Sequence, residues 1–138
     1  MSVQFFYCKT RYKLQQSDRH KKWIIYCVKK LGFSIRQINI VFISATNLKL
    51  LNKQFLKRNY DTDIITFDNS HCRILDIELY ISPATVKYNA KQFKSTFSNE
   101  MQRVIIHGIL HCCGYNDNSV KNIKRMRNAE TYFINRFK

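Results

Sequence analysis

The sequence predicts one small α+β domain, with a mixed β-sheet of about four strands packed against about five helices. Three features predict it. Residues 73–82 alternate polar and apolar side chains, Ile74, Asp76, Glu78 and Tyr80 interleaving with Leu75, Ile77, Leu79 and Ile81, the pattern of a half-buried strand. Residues 101–112 and 119–137 repeat apolar residues at helical spacing. The elements run β-α-β-α-β-β-α-α-α, which joins crossover-linked strands to a strand pair and closes on helices.

Along the chain, residues 3–8 (Val-Gln-Phe-Phe-Tyr-Cys) read as a short strand. Asp18 caps a helix reaching Leu31, with Trp23, Ile24, Cys27, Val28 and Leu31 on one side and Gly32 as its left-handed stop. Residues 38–43 are β-rich and mostly apolar, as a central strand is. Thr46 or Asn47 opens a second helix, with Leu48, Leu50, Leu51 and Phe55 as its apolar positions. Residues 62–67 form an extended segment ahead of the alternating strand. Ser82 and Pro83 stand as N-cap and first residue of a third helix. Ser98 opens a fourth, its apolar face carrying Met101, Val104, Ile105, Gly108 and Cys112. Ser119 opens the last, through Val120, Ile123, Met126, Phe133 and Phe137.

A chain of 138 residues makes one domain, 1–138, able to bury roughly two-thirds of its unfolded surface without help from disulfides or metal. Residues 1–7 lack the pattern of a signal peptide, and no run of apolar residues is long enough to cross a bilayer. Five cysteines, an odd number, point to free thiols in a reducing cytoplasm. The net charge is +15. Residues 1–60 hold 13 Lys/Arg against one acid, residues 61–100 four against six, and residues 101–138 seven against two. So positive a field favours a polyanion such as RNA or DNA over an acidic membrane surface. The abundance of Asn, Ile, Phe and Tyr beside Lys also matches what an AT-rich genome imposes on codons.

The chemistry concentrates in residues 104–117. His107 and His111 are four residues apart, so on a helix they lie about 40° apart and about 6 Å along the axis. Both imidazoles then reach one ion at about 2.0–2.1 Å. Gly114 stops the helix, and the chain reverses through Tyr115 and Asn116 so that Asp117 returns toward the histidines. Two histidines, one carboxylate and an open position describe a catalytic zinc site, one ion per chain. In the His-Glu-x-x-His peptidase pattern the residue after the first histidine is the general base. Here it is Gly108, which argues against a peptidase and leaves space beside the metal. Cys112 belongs to the apolar face, although a His/Cys structural zinc site stays open, as do ordinary structural roles for the two histidines.

The run His107-Gly108-Ile109-Leu110-His111-Cys112-Cys113-Gly114-Tyr115 resembles the His-Gly-x-Leu-His-x-x-Gly-Tyr signature of the YbeY family, the bacterial rRNA-maturation endoribonucleases. Upstream, Leu51-Asn52 followed by residues 62–67 (Thr-Asp-Ile-Ile-Thr-Phe) is similar to the family's Leu-Asn…Thr-(Asp/Asn)-Val-Leu-Ser-Phe block. Residues 77–82 resemble its Gly-Asp-Ile-x-Ile-Ser strand. The likeness covers roughly residues 48 to 130 and implies a metal-dependent, single-strand-selective endoribonuclease that matures small-subunit rRNA, serves ribosome quality control and works with ribosomes.

The resemblance carries His107 and His111 over as zinc ligands. It places Asp117 where the family usually has a third histidine. The added negative charge would make a metal-bound water less acidic. A family arginine four residues after the Leu-Asn pair falls on Leu56, with Lys57 and Arg58 as the nearest substitutes. The strand Gly-Asp is Ile77-Glu78.

Catalysis is therefore expected from the metal set His107, His111 and Asp117. Lys53, Lys57, Arg58 and Arg103 are the expected contacts to substrate, with pairing to Glu100 as the alternative for Arg103. Glu78 is a candidate partner for a ligand histidine, or equally a solvated strand carboxylate. The expected partners are single-stranded RNA or rRNA and the ribosome or its proteins, with the chain a monomer away from membranes. The alternative is an rRNA-binding ribosome-assembly factor with a structural zinc and little catalysis.

Overall fold

A computed structural model of the chain describes residues 1–59 and 61–137. The elements follow the predicted order: β1 (Ser2–Cys8), α1 (Ser17–Lys30), β2 (Ser34–Ile43), α2 (Ala45–Leu56), β3 (Ile64–Asp68), β4 (Ile74–Ile81), α3 (Pro83–Gln92), α4 (Phe97–Cys112) and α5 (Val120–Ile134). The sheet has the order β1-β2-β4-β3. β1, β2 and β4 run parallel, and β3 pairs antiparallel with β4 as an edge. The predicted α+β class with one mixed sheet is what the chain forms.

Alternation decides which face is which. Val3, Ile38, Ile40, Phe42, Leu75, Ile77, Leu79 and Ile81 point to one side and form the main core with α1, α4 and α5. At about 25 cal/mol per Å² of apolar surface removed from water, this one-sided burial is the chief favourable term in folding. The other side holds a smaller cluster, Ile43, Leu48 and Ile65, under α2. That thin cover explains why Leu50 and Phe55, expected as apolar positions of α2, are exposed.

The strand β2 begins four residues before the expected position. Its first half has Ile35 as a single buried apolar residue among the exposed Ser34, Arg36 and Gln37, too little for a strand signal, and is held by pairing with β4 across an irregularity between Ile35 and Gln37. Several helix starts also move. The N-caps of α2 and α4 are Ser44 and Thr96, whose side chains accept the N–H of Asn47 and Asn99, while Ser82 and Ser119 cap α3 and α5 as expected. Gln16, in the left-handed region, precedes α1, and Asp18 sits within its first turn, where a carboxylate favours the positive helix end. On α5, Val120 and Ile123 are exposed, against expectation, while Met126 and Phe133 are buried.

At the end of α1 the Phe33 N–H bonds the Val28 carbonyl and the Gly32 N–H bonds that of Lys29, with Gly32 at φ +83°. That is the left-handed stop its glycine predicted. The same closure ends α4. The Tyr115 N–H bonds the Leu110 carbonyl, the Gly114 N–H bonds that of His111, and Gly114 has φ +98°.

Candidate metal centre

Helix α4 crosses the core and is buried on almost every side. From Met101 to Leu110 only Arg103 and His107 are not buried, and His111 continues their line into solvent. The three residues are spaced at i, i+4 and i+8, so they form one exposed stripe on an otherwise buried helix. The His107 and His111 end of this stripe lines an open cleft of about 640 Å³ whose walls include Asn52, Leu56, Arg58, Asp63 and Asp117.

His107 and His111 present their Nε2 atoms 3.0 Å apart. The turn at Gly114 brings Asp117 back, its Oδ2 4.0 Å from His111 Nε2. The Tyr115 ring steadies that return by packing against the core with the Arg125 guanidinium over it, 4.2 Å from the ring centre. One donor atom from each of His107, His111 and Asp117 lies within 4.8 Å of the others, the only such group of three among the described residues. Two imidazole nitrogens and a carboxylate oxygen converging at a cleft, with the fourth direction open, suit a borderline cation such as Zn²⁺.

The partner that orients His107 comes from α5. His107 Nδ1 is 2.6 Å from Glu130 Oε2, so Nδ1–H donates there and the lone pair of Nε2 faces the cleft. Glu130 is buried and also accepts from Arg103 Nη1 at 2.7 Å, with Arg127 at 3.6 Å. Burial pushes the Glu130 carboxyl up, but the hydrogen bonds from His107 and Arg103 prevail and hold it below the usual carboxylate range. His111 is lowered, first by burial and then by the charge of His107. A histidine that loses its proton readily is ready to ligate a cation.

A family profile described as Endoribonuclease YbeY matches residues 7–138. The chain is 40% identical over 112 residues to an Endoribonuclease YbeY from Karelsulcia muelleri, covering 81% of this chain and 79% of that one. It is 38% identical over 130 residues to the corresponding protein of Cytophaga hutchinsonii, covering 94% and 91%. The chain belongs to the YbeY endoribonuclease family. Among solved structures it is similar to the solution structure of TM1509 from Thermotoga maritima, with TM-score 0.67, 29% identity, and coverage of 96% of this chain and 87% of that one.

Of the residues expected to contact a YbeY substrate, Arg58 lines the cleft. Lys53 and Lys57 are exposed at the end of α2 and do not line it, Lys57 serving as the left-handed C-cap at φ +56°. Arg103 is on the stripe, and its hydrogen bond goes to Glu130 rather than to Glu100. Glu78 cannot support a histidine. It alternates with the buried Ile77 and Leu79, which places it on the opposite face of the sheet from α4. Gly108 likewise does not open space beside the histidines. It faces the sheet, and a Cβ there would sit 2.8 Å from Ile64 Cδ1 and 3.0 Å from Leu79 Cδ2. Cys112 and Cys113 pack against the core, and burial pushes the Cys113 thiol up to about 12 and the Cys112 thiol up as well. Both are poor zinc ligands as they stand.

Sequence reasoning alone does not single out Glu130 or Asp63. A signal for Glu130 exists: it lies four residues after Met126 and three before Phe133, a charge inside the buried stripe of α5. Such a charge requires partners. Asp63 precedes β3, accepts the Ser82 N–H on its carbonyl, and shares a side-chain hydrogen bond with Asn89. Burial raises its carboxyl above the usual range, against the opposing pull of its hydrogen bonds and of His107.

Two outcomes follow for Glu130. Glu130→Ala, which frees the His107 ring, lowers metal affinity about 10- to 100-fold, read by competition against a chromophoric chelator. The depressed carboxyl also stabilises the fold at neutral pH. Its contribution is complete above the ordinary value of 4.5 and is lost as pH falls through the lower folded value. The melting temperature of the native chain therefore drops as pH falls below about 4.5, and Glu130→Gln melts with a shallower acid slope. Equal slopes would remove Glu130 as the acid-sensitive group.

Proposed function

We propose that the chain is a zinc-dependent endoribonuclease that cleaves single-stranded RNA, with small-subunit rRNA and the ribosome as its setting in the cytoplasm and the monomer as its working form. The observation that carries this reading is the convergence of His107, His111 and Asp117 on one cleft in a member of the YbeY endoribonuclease family. When bound, the ion supplies Lewis acidity toward a phosphate oxygen and makes a bound water more acidic.

The chain's own residues do the rest. Glu130 fixes the tautomer and tilt of His107. Arg58, on the cleft wall, and Lys53 and Lys57 beside it draw in the phosphate backbone through charge, which gives salt-dependent, sequence-tolerant affinity. Arg103 holds Glu130 with one arm of its guanidinium and lines the smaller groove that adjoins the cleft at His107 and Asp63. No helix among the described residues is long and apolar enough to cross a membrane.

The test is cleavage of labelled single-stranded and double-stranded RNA of one sequence, with and without a chelator. Cleavage of the single strand alone, abolished by the chelator and restored by Zn²⁺, is the expected result. Chelator-insensitive cleavage would overturn the metal role, and equal cleavage of duplex would overturn the single-strand preference.

One observation favours a second reading, an rRNA-binding assembly factor with a structural zinc. Leu56 lines the cleft where the family resemblance calls for arginine. Melting with and without chelator separates the two readings. A structural metal contributes on the order of 10 kcal/mol to folding, whereas the metal-free endoribonuclease stays folded because its main core lies on the sheet face beneath α4 and does not depend on an ion.

A further inference from the structure

We propose that the outer end of α3 is a stacking platform on which Phe93 and Tyr88 hold two unpaired bases of the RNA strand that passes through the metal cleft; this rests on the endoribonuclease reading above. Phe93 and Tyr88 are 64% and 63% exposed. Single exposed rings are ordinary on a protein surface, but these two stand at grooves that share Asp63 with the metal cleft, where they offer flat faces to unstacked bases. They flank Asn89 on α3, and that residue lines the grooves on both sides. The Phe93 groove, about 200 Å³, reaches His107, Arg103 and Arg127. The Tyr88 groove, about 610 Å³, reaches Asp61 and Thr62. Asp63 lines both grooves and the metal cleft, so a strand leaving the cleft meets a ring on either side of α3.

The cations are on the outer surface of α3 rather than in the grooves: residues 83–99 contain Lys87, Lys91 and Lys94, all exposed, and no acid. The Tyr88 groove, by contrast, is lined by Asp61 and Asp63, and the Phe93 groove by Asp63, Glu100 and Glu130 against Arg103 and Arg127, so phosphates follow the lysines along the helix. Arg127 adds an exposed guanidinium at the mouth of the Phe93 groove. Separate rings set among lysines are unlike the core of a protein interface, from which lysine is depleted. They are the composition of a single-strand platform, where each base lies flat on a ring and cations follow the phosphates. Bases in a duplex are already stacked on one another, so the platform also supplies a physical source of single-strand preference.

The test is binding of a short, nuclease-resistant 2′-O-methyl phosphorothioate RNA to the metal-loaded protein, followed by fluorescence anisotropy, for the native chain, Phe93→Ala, Tyr88→Ala, the double variant and Phe93→Trp. Each alanine is expected to weaken single-strand binding about 5- to 100-fold with metal content and melting temperature unchanged. Phe93→Trp is expected to bind as the native chain does. The indole emission it adds to that of the buried Trp23 is expected to be quenched by single-stranded but not by double-stranded RNA. Native affinity in the double variant, or no quenching of the added indole when single strand binds Phe93→Trp, overturns the platform while leaving the endoribonuclease reading intact. A native chain that neither binds nor cleaves single-stranded RNA overturns both.

Discussion

His111→Ala leaves a folded protein that has lost its metal and at least about a thousandfold in single-strand cleavage, equivalent to about 4 kcal/mol of transition-state stabilisation. The fold survives because the imidazole is on the exposed stripe of α4, its side chain 35% accessible, and is not one of the apolar groups that build the main core. Alanine is also the better helix former, and the stop at Gly114 depends on backbone hydrogen bonds that the substitution does not touch. Loss of the metal is the expected result because, of the three proposed donors, only His107 and Asp117 remain. Metal stoichiometry, circular dichroism and cleavage rate of the purified variant check the three parts separately. A variant that keeps one ion per chain and cleaves within tenfold of the native rate would remove His111 from the centre.

The second large effect falls on a residue with no role in chemistry. Gly108→Glu recreates the peptidase pattern His-Glu-x-x-His in sequence, yet it yields no peptidase and abolishes folding. The Cβ alone would lie 2.8 Å from Ile64 Cδ1 and 3.0 Å from Leu79 Cδ2. A carboxylate beyond it would enter the apolar layer between α4 and the sheet without a partner, at a penalty of several kcal/mol. Total stability of a domain this size is about 5–15 kcal/mol. Gly108→Ala is the graded control. It gains up to about 1 kcal/mol of helix propensity and loses about 1–3 kcal/mol to overpacking, so urea denaturation should show a modest net loss. A stable, folded Gly108→Glu would mean that α4 does not pack on β3 and β4 as described.

The two histidines and the turn after them were legible because each is a local fact. Spacing of four on a helix, a glycine that takes φ +98°, and a carboxylate three residues later set the geometry with no reference to the rest of the chain. Strand β4 was legible for the same reason, since one covered face leaves a two-residue period. Helix α4 was harder. Its expected single apolar face became burial on nearly all sides, because α3 and α5 pack against it as well as the sheet. The outer half of β2 was invisible because Ile35 is its one apolar residue among polar ones and its order comes from pairing with β4. Arg103 was matched with Glu100 in its own helix or with substrate, and the fold gives it Glu130; Glu78 was matched with a distant histidine or with solvent, and the alternation of β4 turns it to solvent.

Residue order and spacing thus settled the element sequence, the sheet class and the His-x-x-x-His centre with its returning aspartate, since hydrogen-bond periodicity and helix pitch act over a few residues. Which way Gly108 faces, which acid steadies His107, and which rings border the cleft depended on segments far apart in sequence. Glu130 reaches His107 across 23 positions, and Asp63 joins the cleft from the edge strand. Burial and packing are properties of the assembled core: a side chain's surroundings are fixed only when α3, α4, α5 and the sheet exclude water together.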